Sequence, residues 1–222
     1  MSYHNGLLKA LESGTGERGV HRYLKTSPRP IIAGYCRGWN FHYCIPEFRF
    51  ADDYRADFLV LGGHSGGFTT SFIELEAPNA RLYLKNGTPS KTLRIALRQI
   101  EDWRIWIRDN DNLLRKAIKK SLPNAMSSSS YLMKPSEIKE IGQLLFEQDM
   151  GIWDDYHIII GRRKDLTSED KRRRNFLPTF DQGVEIATYD RLLDIAWLQD
   201  KGERELRNAR NTRKQKSSRS GS

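Results

Sequence analysis

Three acidic residues, Asp57, Glu74 and Glu76, lie in segments that the sequence predicts to be two neighbouring strands. Side chains alternate between the two faces of a strand, so Glu74 and Glu76 share one face while Leu75 enters the opposite, buried one. Two acids on one surface of a strand can bind a cation or exchange a proton with a substrate.

A predicted hairpin brings the third acid to the same place. The glycine-rich segment 62–69 lacks the Lys-Ser/Thr pair of a phosphate-cradling loop and leads into a strand-like segment, which favours a hairpin connection. Pairing of Leu61 with Thr70 then places Asp57 opposite Glu74. Three carboxylates converge at one end of the hairpin.

Carboxylates at such short range repel one another and raise each other's pKa unless a cation neutralises them. Oxygen ligands of this kind suit Mg²⁺, with Mn²⁺ as a second choice, and either ion accepts phosphate oxygens as further ligands. The pattern therefore predicts metal-dependent hydrolysis of a phosphodiester. The other interpretation is that Glu74 and Glu76 form only the solvated face of an edge strand.

The elements that must position these acids follow the order αβββαβ. Apolar residues at three- and four-residue steps predict helices, and short segments rich in β-branched and aromatic residues predict strands. The predicted helices cover 5–25 with a break at 13–16, 90–108, 110–120, 136–148 and 190–199; the predicted strands cover 31–35, 39–45, 58–61, 70–76, 156–161 and 184–188. A loop is expected over 79–89.

Length and composition favour one domain over residues 1–200, with an inserted helical region at about 109–155. The net charge is +9, of which +6 belongs to residues 201–222, predicted to be a basic, disordered tail. Such a distribution suggests a polyanionic partner, usually nucleic acid, although a solvated tail explains the charge equally well. No apolar run reaches the roughly 20 residues that a membrane span needs, and no signal peptide is evident, so a cytoplasmic protein is expected.

A second concentration of positive charge follows the predicted strand at 156–161. It could hold a phosphate backbone without reading bases. Interspersed acids make a solvated helix face an equally good interpretation. The candidate nucleic-acid-binding residues in this cluster are Arg162, Arg163, Lys164, Arg172 and Arg173.

Five segments taken together resemble the successive motifs of Shedu antiphage-defence proteins. They read DFLV (57–60), FIELEAP (72–78), LRQIEDWR (97–104), IIGR (159–162) and TYDRLL (188–193). The resemblance implies an α/β fold, namely the restriction-endonuclease-like αβββαβ core of PD-(D/E)xK nucleases, with a mixed central sheet flanked by helices. It also implies Mg²⁺-dependent cleavage of DNA, from phage in this setting. With little room for a separate sensor, regulation would come from homo-oligomerisation, the inserted region or the tail.

The resemblance assigns roles to individual residues. Asp57 and Glu74 would be metal ligands, Gln99 matches the active-site glutamine on the following helix, and Glu17 matches an acid that some members of the superfamily carry on the first helix. Glu76 stands where the commonest pattern has a catalytic lysine; it could accept a proton from water or bind a second metal ion. Some restriction endonucleases of this fold also use E-x-E. The departure leaves an alternative open, a catalytically inactive DNA-binding or sensing module.

Overall fold

The predicted hairpin is the centre of the sheet in the computed structural model, which describes residues 2–38, 40–52, 54–176 and 183–219. The helices are α1 (Tyr3–Glu12), α2 (Gly16–Thr26), α3 (Arg29–Tyr35), α4 (Lys91–Asp109), α5 (Asp111–Ser121), α6 (Pro135–Leu144), α7 (Ser168–Phe176) and α8 (Tyr189–Arg219). The strands are β1 (Phe41–Arg49), β2 (Arg55–His64), β3 (Gly67–Leu75), β4 (Met126–Ser127), β5 (Gly151–Ile159) and β6 (Val184–Ala187).

The six strands form one mixed sheet in the order β4-β1-β2-β3-β5-β6. Strands β4, β1, β2 and β3 pair antiparallel, whereas β3, β5 and β6 run parallel. One apolar core lies between the sheet and α4–α6, and a second lies between the other face and the helices α1–α3 and α8. The predicted α/β architecture, a mixed central sheet flanked by helices, is confirmed.

The register of the β2–β3 hairpin is the predicted one: Leu61 pairs with Thr70 and Phe58 with Ile73. The connection is shorter than expected, because the strands continue through the glycines to the pair His64–Gly67. Glycine is required at position 62 by packing, since a Cβ there would lie 2.8 Å from the Cys36 sulfur.

The strand predicted at 31–35 is wrong, because these residues form helix α3. Pro30 lies in the first turn, where a missing amide costs nothing and the fixed φ favours the helix. Ile31, Ile32 and Tyr35 are all buried, and a run this short carries no period that separates a strand from a helix. Position 39, predicted to start the next strand, lies outside the described residues.

The C-terminal segment also differs from its prediction, since α8 continues to Arg219 instead of ending at 199. Asp200 accepts hydrogen bonds from the amides of Tyr3 and His4, and Glu203 pairs with Arg29, so the middle of α8 is tied to α1 and α3. Residues 220–222 lie outside the described part of the chain. Within the described residues, no helix is long and apolar enough to span a membrane.

The region predicted as an insertion, 109–155, is built into the domain. Leu114 of α5 and Ile141 of α6 are buried in the core under the sheet, and β4 pairs with the outer edge of β1. Strand β5 already begins at Gly151, five residues earlier than expected, because its first residues pair with β3 beside the hairpin turn.

Candidate functional site

The Asp57 carboxylate is fixed at the end of the β2–β3 ladder. Its Oδ2 accepts a hydrogen bond of 2.8 Å from the amide of Leu75, the residue between Glu74 and Glu76. The side chain of Asp57 thus replaces a backbone partner just beyond the last paired position, Phe58–Ile73. The hydrogen bond holds the first acid beside the segment that carries the other two.

Glu76 follows the last residue of β3 and is held through its backbone. Its amide donates to the Ile159 carbonyl at 2.8 Å, and its carbonyl accepts from the Tyr189 hydroxyl at 2.7 Å. Tyr189 is fully buried at the start of α8. Sequence reasoning gave Tyr189 no role, because nothing local distinguishes a tyrosine that orients a site from one that only packs.

Helix α2 contributes Glu17 in its first turn and His21 one turn later. The His21 Nε2 lies 3.7 Å from Asp57 Oδ1 and, among the described residues, this buried nitrogen has no hydrogen-bond partner. The imidazole packs against the Phe58 ring at 5.1 Å between centroids. His21 was missed in the sequence, although its i,i+4 spacing from Glu17 was a visible signal that both face the same way.

Helix α4 brings Gln99 next to Glu74, where its side-chain amide lowers the pKa of the Glu74 carboxyl against the larger effect of burial. The helix begins as predicted, because the Ser90 hydroxyl accepts from the Leu93 amide at 3.2 Å. The buried stripe that contains Ile100 anchors α4 on the sheet and leaves Gln99 half-buried at its border. The structure therefore brings all five predicted acidic and amide residues into one neighbourhood.

The four carboxylates disfavour each other's ionisation. Burial, followed by the charges of Asp57 and Glu76, raises the pKa of Glu74 to about 9. Burial, followed by Glu17 and Asp57, raises the pKa of Glu76 to about 7. Burial also raises the pKa of Glu17, and the charge of Asp57 raises it further. Burial raises the pKa of Asp57 too, although the hydrogen bond from the Leu75 amide lowers it. Buried acids that repel one another are characteristic of functional sites.

Tyr189 gives independent evidence that these acids form one cluster. Burial raises the pKa of its hydroxyl, and all four carboxylates raise it further. We call Glu17, Asp57, Glu74 and Glu76 the carboxylate cluster. Among the described residues, however, no three His, Cys, Asp or Glu side chains have their donor atoms gathered around a single point as a metal cage.

The family model of the Shedu protein SduA, C-terminal, matches residues 15–193. The chain belongs to the Shedu family. The matched range contains Gln99, the carboxylate cluster, His21 and Tyr189. Membership indicates a role in antiphage defence. A search of curated proteins gives no match.

The basic residues predicted to bind nucleic acid are largely engaged with acids in this Shedu fold. Arg163 pairs with Asp194 at 2.5 Å. Lys164 is exposed. On α7, Arg172 and Arg173 both pair with Glu169, at 2.7 and 3.2 Å. Among the described residues, none of these side chains forms an ion pair or hydrogen bond with the carboxylate cluster.

Arg162 joins the end of β5 to the start of α8. Its guanidinium lies 3.2 Å from Asp190, and the side chains are only 14% and 17% exposed. Burial alone would raise the pKa of Asp190, but hydrogen bonds from Arg162 and the Arg163 amide outweigh it and hold that pKa below its usual value. The pair fixes the first turn of α8, where Tyr189 reaches Glu76.

We expect Arg162→Ala to lower the free energy of unfolding by about 1–3 kcal/mol, because it leaves a half-buried carboxylate without its cation. Urea unfolding followed by circular dichroism measures the loss. The neighbouring exposed Lys164→Ala should change the free energy of unfolding by less than about 0.5 kcal/mol. An Arg162→Ala protein of unchanged stability but weakened DNA binding would contradict the structural role.

Proposed function

We propose that this Shedu chain is a metal-dependent deoxyribonuclease, an endonuclease or nickase that hydrolyses phosphodiester bonds of phage DNA. The observation that carries the proposal is the convergence of four carboxylates and an amide from α2, β2, β3 and α4. Half-buried acids whose mutual repulsion raises their pKa values need a cation to ionise together at neutral pH. A polyanionic substrate would add to that repulsion unless the cation is present.

Asp57 and Glu74 are the principal metal ligands in this proposal, with Glu76 and Glu17 as the further oxygen donors. Their chemistry fits Mg²⁺, or Mn²⁺, which bind one or two carboxylates and keep several waters. Such an ion does not need all four carboxylates gathered around one point, because water molecules can fill its remaining coordination positions. When bound, the metal ion would make a water more acidic and stabilise negative charge on the phosphate.

The chain's own residues have distinct tasks around that ion. Gln99 lies next to the Glu74 carboxylate and favours its ionised form, and the Leu75 amide holds Asp57 through a hydrogen bond. Glu76, whose backbone is fixed by Ile159 and Tyr189, can take the proton from the attacking water. The lysine of the commonest PD-(D/E)xK pattern is thereby replaced by a carboxylate base.

We expect purified protein to cut or nick plasmid DNA with Mg²⁺ or Mn²⁺ and to stop when EDTA is added, because the carboxylate cluster depends on the cation. Gel electrophoresis of supercoiled, nicked and linear substrates measures the reaction. Readdition of Mg²⁺ after EDTA should restore it.

A second candidate function is a catalytically inactive nuclease-fold module that binds or senses DNA. Glu76 favours it, because this residue stands where the commonest pattern has a catalytic lysine. Salt-sensitive DNA binding without cleavage of any of the three substrates, with either metal, would support that module and contradict the nuclease.

A further inference from the structure

A groove opens beside the carboxylate cluster, between the end of α2, the β1–β2 hairpin and the β4 region. It encloses about 710 Å³. Its lining includes Lys25, Glu47, Arg49, Arg55, Met126 and Leu132. We call it the α2–β1 groove. It was not apparent from the sequence, since its residues come from three separate segments.

The groove lies next to Asp57 of the carboxylate cluster. Arg55 precedes Asp57 by two residues on β2, and Glu47 lies across from Asp57 on β1, between the pairs Pro46–Phe58 and Phe48–Ala56. The charged residues of the groove thus lie beside a proposed metal ligand.

Helix α2 runs from the carboxylate cluster to the α2–β1 groove. Glu17, His21 and Lys25 follow one another at four-residue steps, so they lie along one face of the helix. Glu17 belongs to the carboxylate cluster, His21 approaches Asp57, and Lys25 pairs with Glu47 in the groove. A chain lying along this face would pass from the groove to the cluster.

The groove has more cations than its acid can neutralise. Glu47 pairs with Lys25 and lies 3.9 Å from an Arg55 nitrogen, and all three side chains remain 41–50% exposed. Arg49 is exposed and forms no ion pair within the described residues. The cations are therefore accessible to an external anion.

Glu47 is also unusual in its backbone, with a φ of 52°. A non-glycine residue in the left-handed region is uncommon and costs free energy, and such residues concentrate at functional sites. Here the conformation places the single acid of the groove between Lys25 and Arg55.

We propose that the α2–β1 groove binds the phosphate backbone of the DNA strand that enters the carboxylate cluster. This inference rests on the proposed nuclease function and assigns the substrate's position on the enzyme. Lys25, Arg49 and Arg55 contact phosphates, and Met126 and Leu132 offer apolar surface to the sugars. Glu47 holds Lys25 and Arg55 when DNA is absent and competes with phosphate for them.

Arg162 and Arg163 are weaker candidates for the same role. Arg162 and Arg163 have separate acids as partners, Asp190 and Asp194, and the Arg162 pair is half-buried. Binding a phosphate there would require breaking pairs that hold α8 in place. In the groove, one exposed acid faces several cations.

The test is equilibrium DNA binding by the full chain in an Asp57→Asn background, where no cutting interferes. Fluorescence anisotropy with labelled oligonucleotides, between about 50 and 300 mM KCl, yields the affinity and its salt dependence. Arg49→Glu should weaken binding about 5- to 20-fold at 150 mM salt and reduce the slope of log K against log salt by about 1 or more. Glu47→Gln should tighten binding, since it frees two cations.

Two further substitutions complete the design. Lys116→Glu, an exposed site on α5 outside the groove, changes the charge by the same amount and should leave affinity within about twofold. Lys164→Glu tests the other basic surface. The groove is excluded if Arg49→Glu and Glu47→Gln both behave like Lys116→Glu, if only Lys164→Glu weakens binding, or if the folded parent binds no DNA. If the groove substitutions change DNA binding but the protein cuts no DNA with any metal, the proposal for the groove stands and only the proposed nuclease function is wrong.

Discussion

Asp57→Asn and Glu74→Gln are each expected to lower the rate of DNA cleavage by about 1000-fold or more. Metal-ion catalysis supplies several kcal/mol of transition-state stabilisation, and each 1.4 kcal/mol is a factor of ten in rate. An amide removes the negative charge that a divalent cation needs while keeping the shape of the side chain. Single-turnover cleavage of a labelled duplex measures the effect.

The same substitutions should leave the fold intact or make it more stable. The amide side chain that Asp57→Asn introduces would still present an oxygen to the Leu75 amide, so the hydrogen bond at the end of the hairpin survives. Burial and neighbouring charges raise the pKa of Glu74 to about 9, so without metal this carboxyl is largely protonated at neutral pH and Glu74→Gln replaces it by a neutral amide of similar shape. Loss of activity combined with unchanged or increased melting temperature separates a catalytic role from a structural one.

A suitable control is Glu101→Gln, on the same helix as Gln99 and exposed to solvent beside Arg104. It removes one carboxylate without touching the cluster and should retain nearly the parental cleavage rate. In cells, Glu74→Gln should abolish protection against a phage that the parent protein restricts. If both cluster variants cut DNA as fast as Glu101→Gln does, the active centre is not here.

The melting temperature of the metal-free protein should fall by on the order of 5–10 °C as the pH rises from 6.5 to 8.5. Glu74 and Glu76 have folded pKa values of about 9 and about 7, above the ordinary 4.5 that applies in the unfolded chain. In this window the folded state therefore binds more protons than the unfolded state, and stability decreases with pH. Differential scanning calorimetry in EDTA measures the trend.

The pH range from 6.5 to 8.5 lies above the range in which the titration of His157 would make stability rise with pH. Burial lowers the pKa of His157 to about 4 from an ordinary 6.5, so that histidine makes stability rise with pH below 6.5. Glu74→Gln should flatten the decline, and saturating Mg²⁺ should oppose it because the bound cation favours the ionised carboxylates. A melting temperature that is constant or rises over this range in EDTA, in both parent and variant, would show that the acids do not repel one another as described.

Local sequence patterns determined the faces and the register around Asp57, Glu74 and Glu76. A strand's two-residue period places Glu74 and Glu76 on one side whatever surrounds them, and the hairpin connection fixes which residue lies opposite Glu74. The capping serine and apolar stripe of α4 likewise predicted a helix from Ser90 onward, and Gln99 with it. These features depend on residues close together in the chain, so they can be read from it.

Tertiary structure alone decided which distant groups complete the site. Local spacing cannot show that His21 lies beside Asp57, that Tyr189 holds Glu76, or that Arg162 is committed to Asp190. Each of these contacts joins residues far apart in the chain that meet only when α2 or α8 packs on the sheet, and the free energy of that packing is set by the whole core. The acids were therefore predictable from the sequence, whereas the groups that hold and balance them were established by the fold.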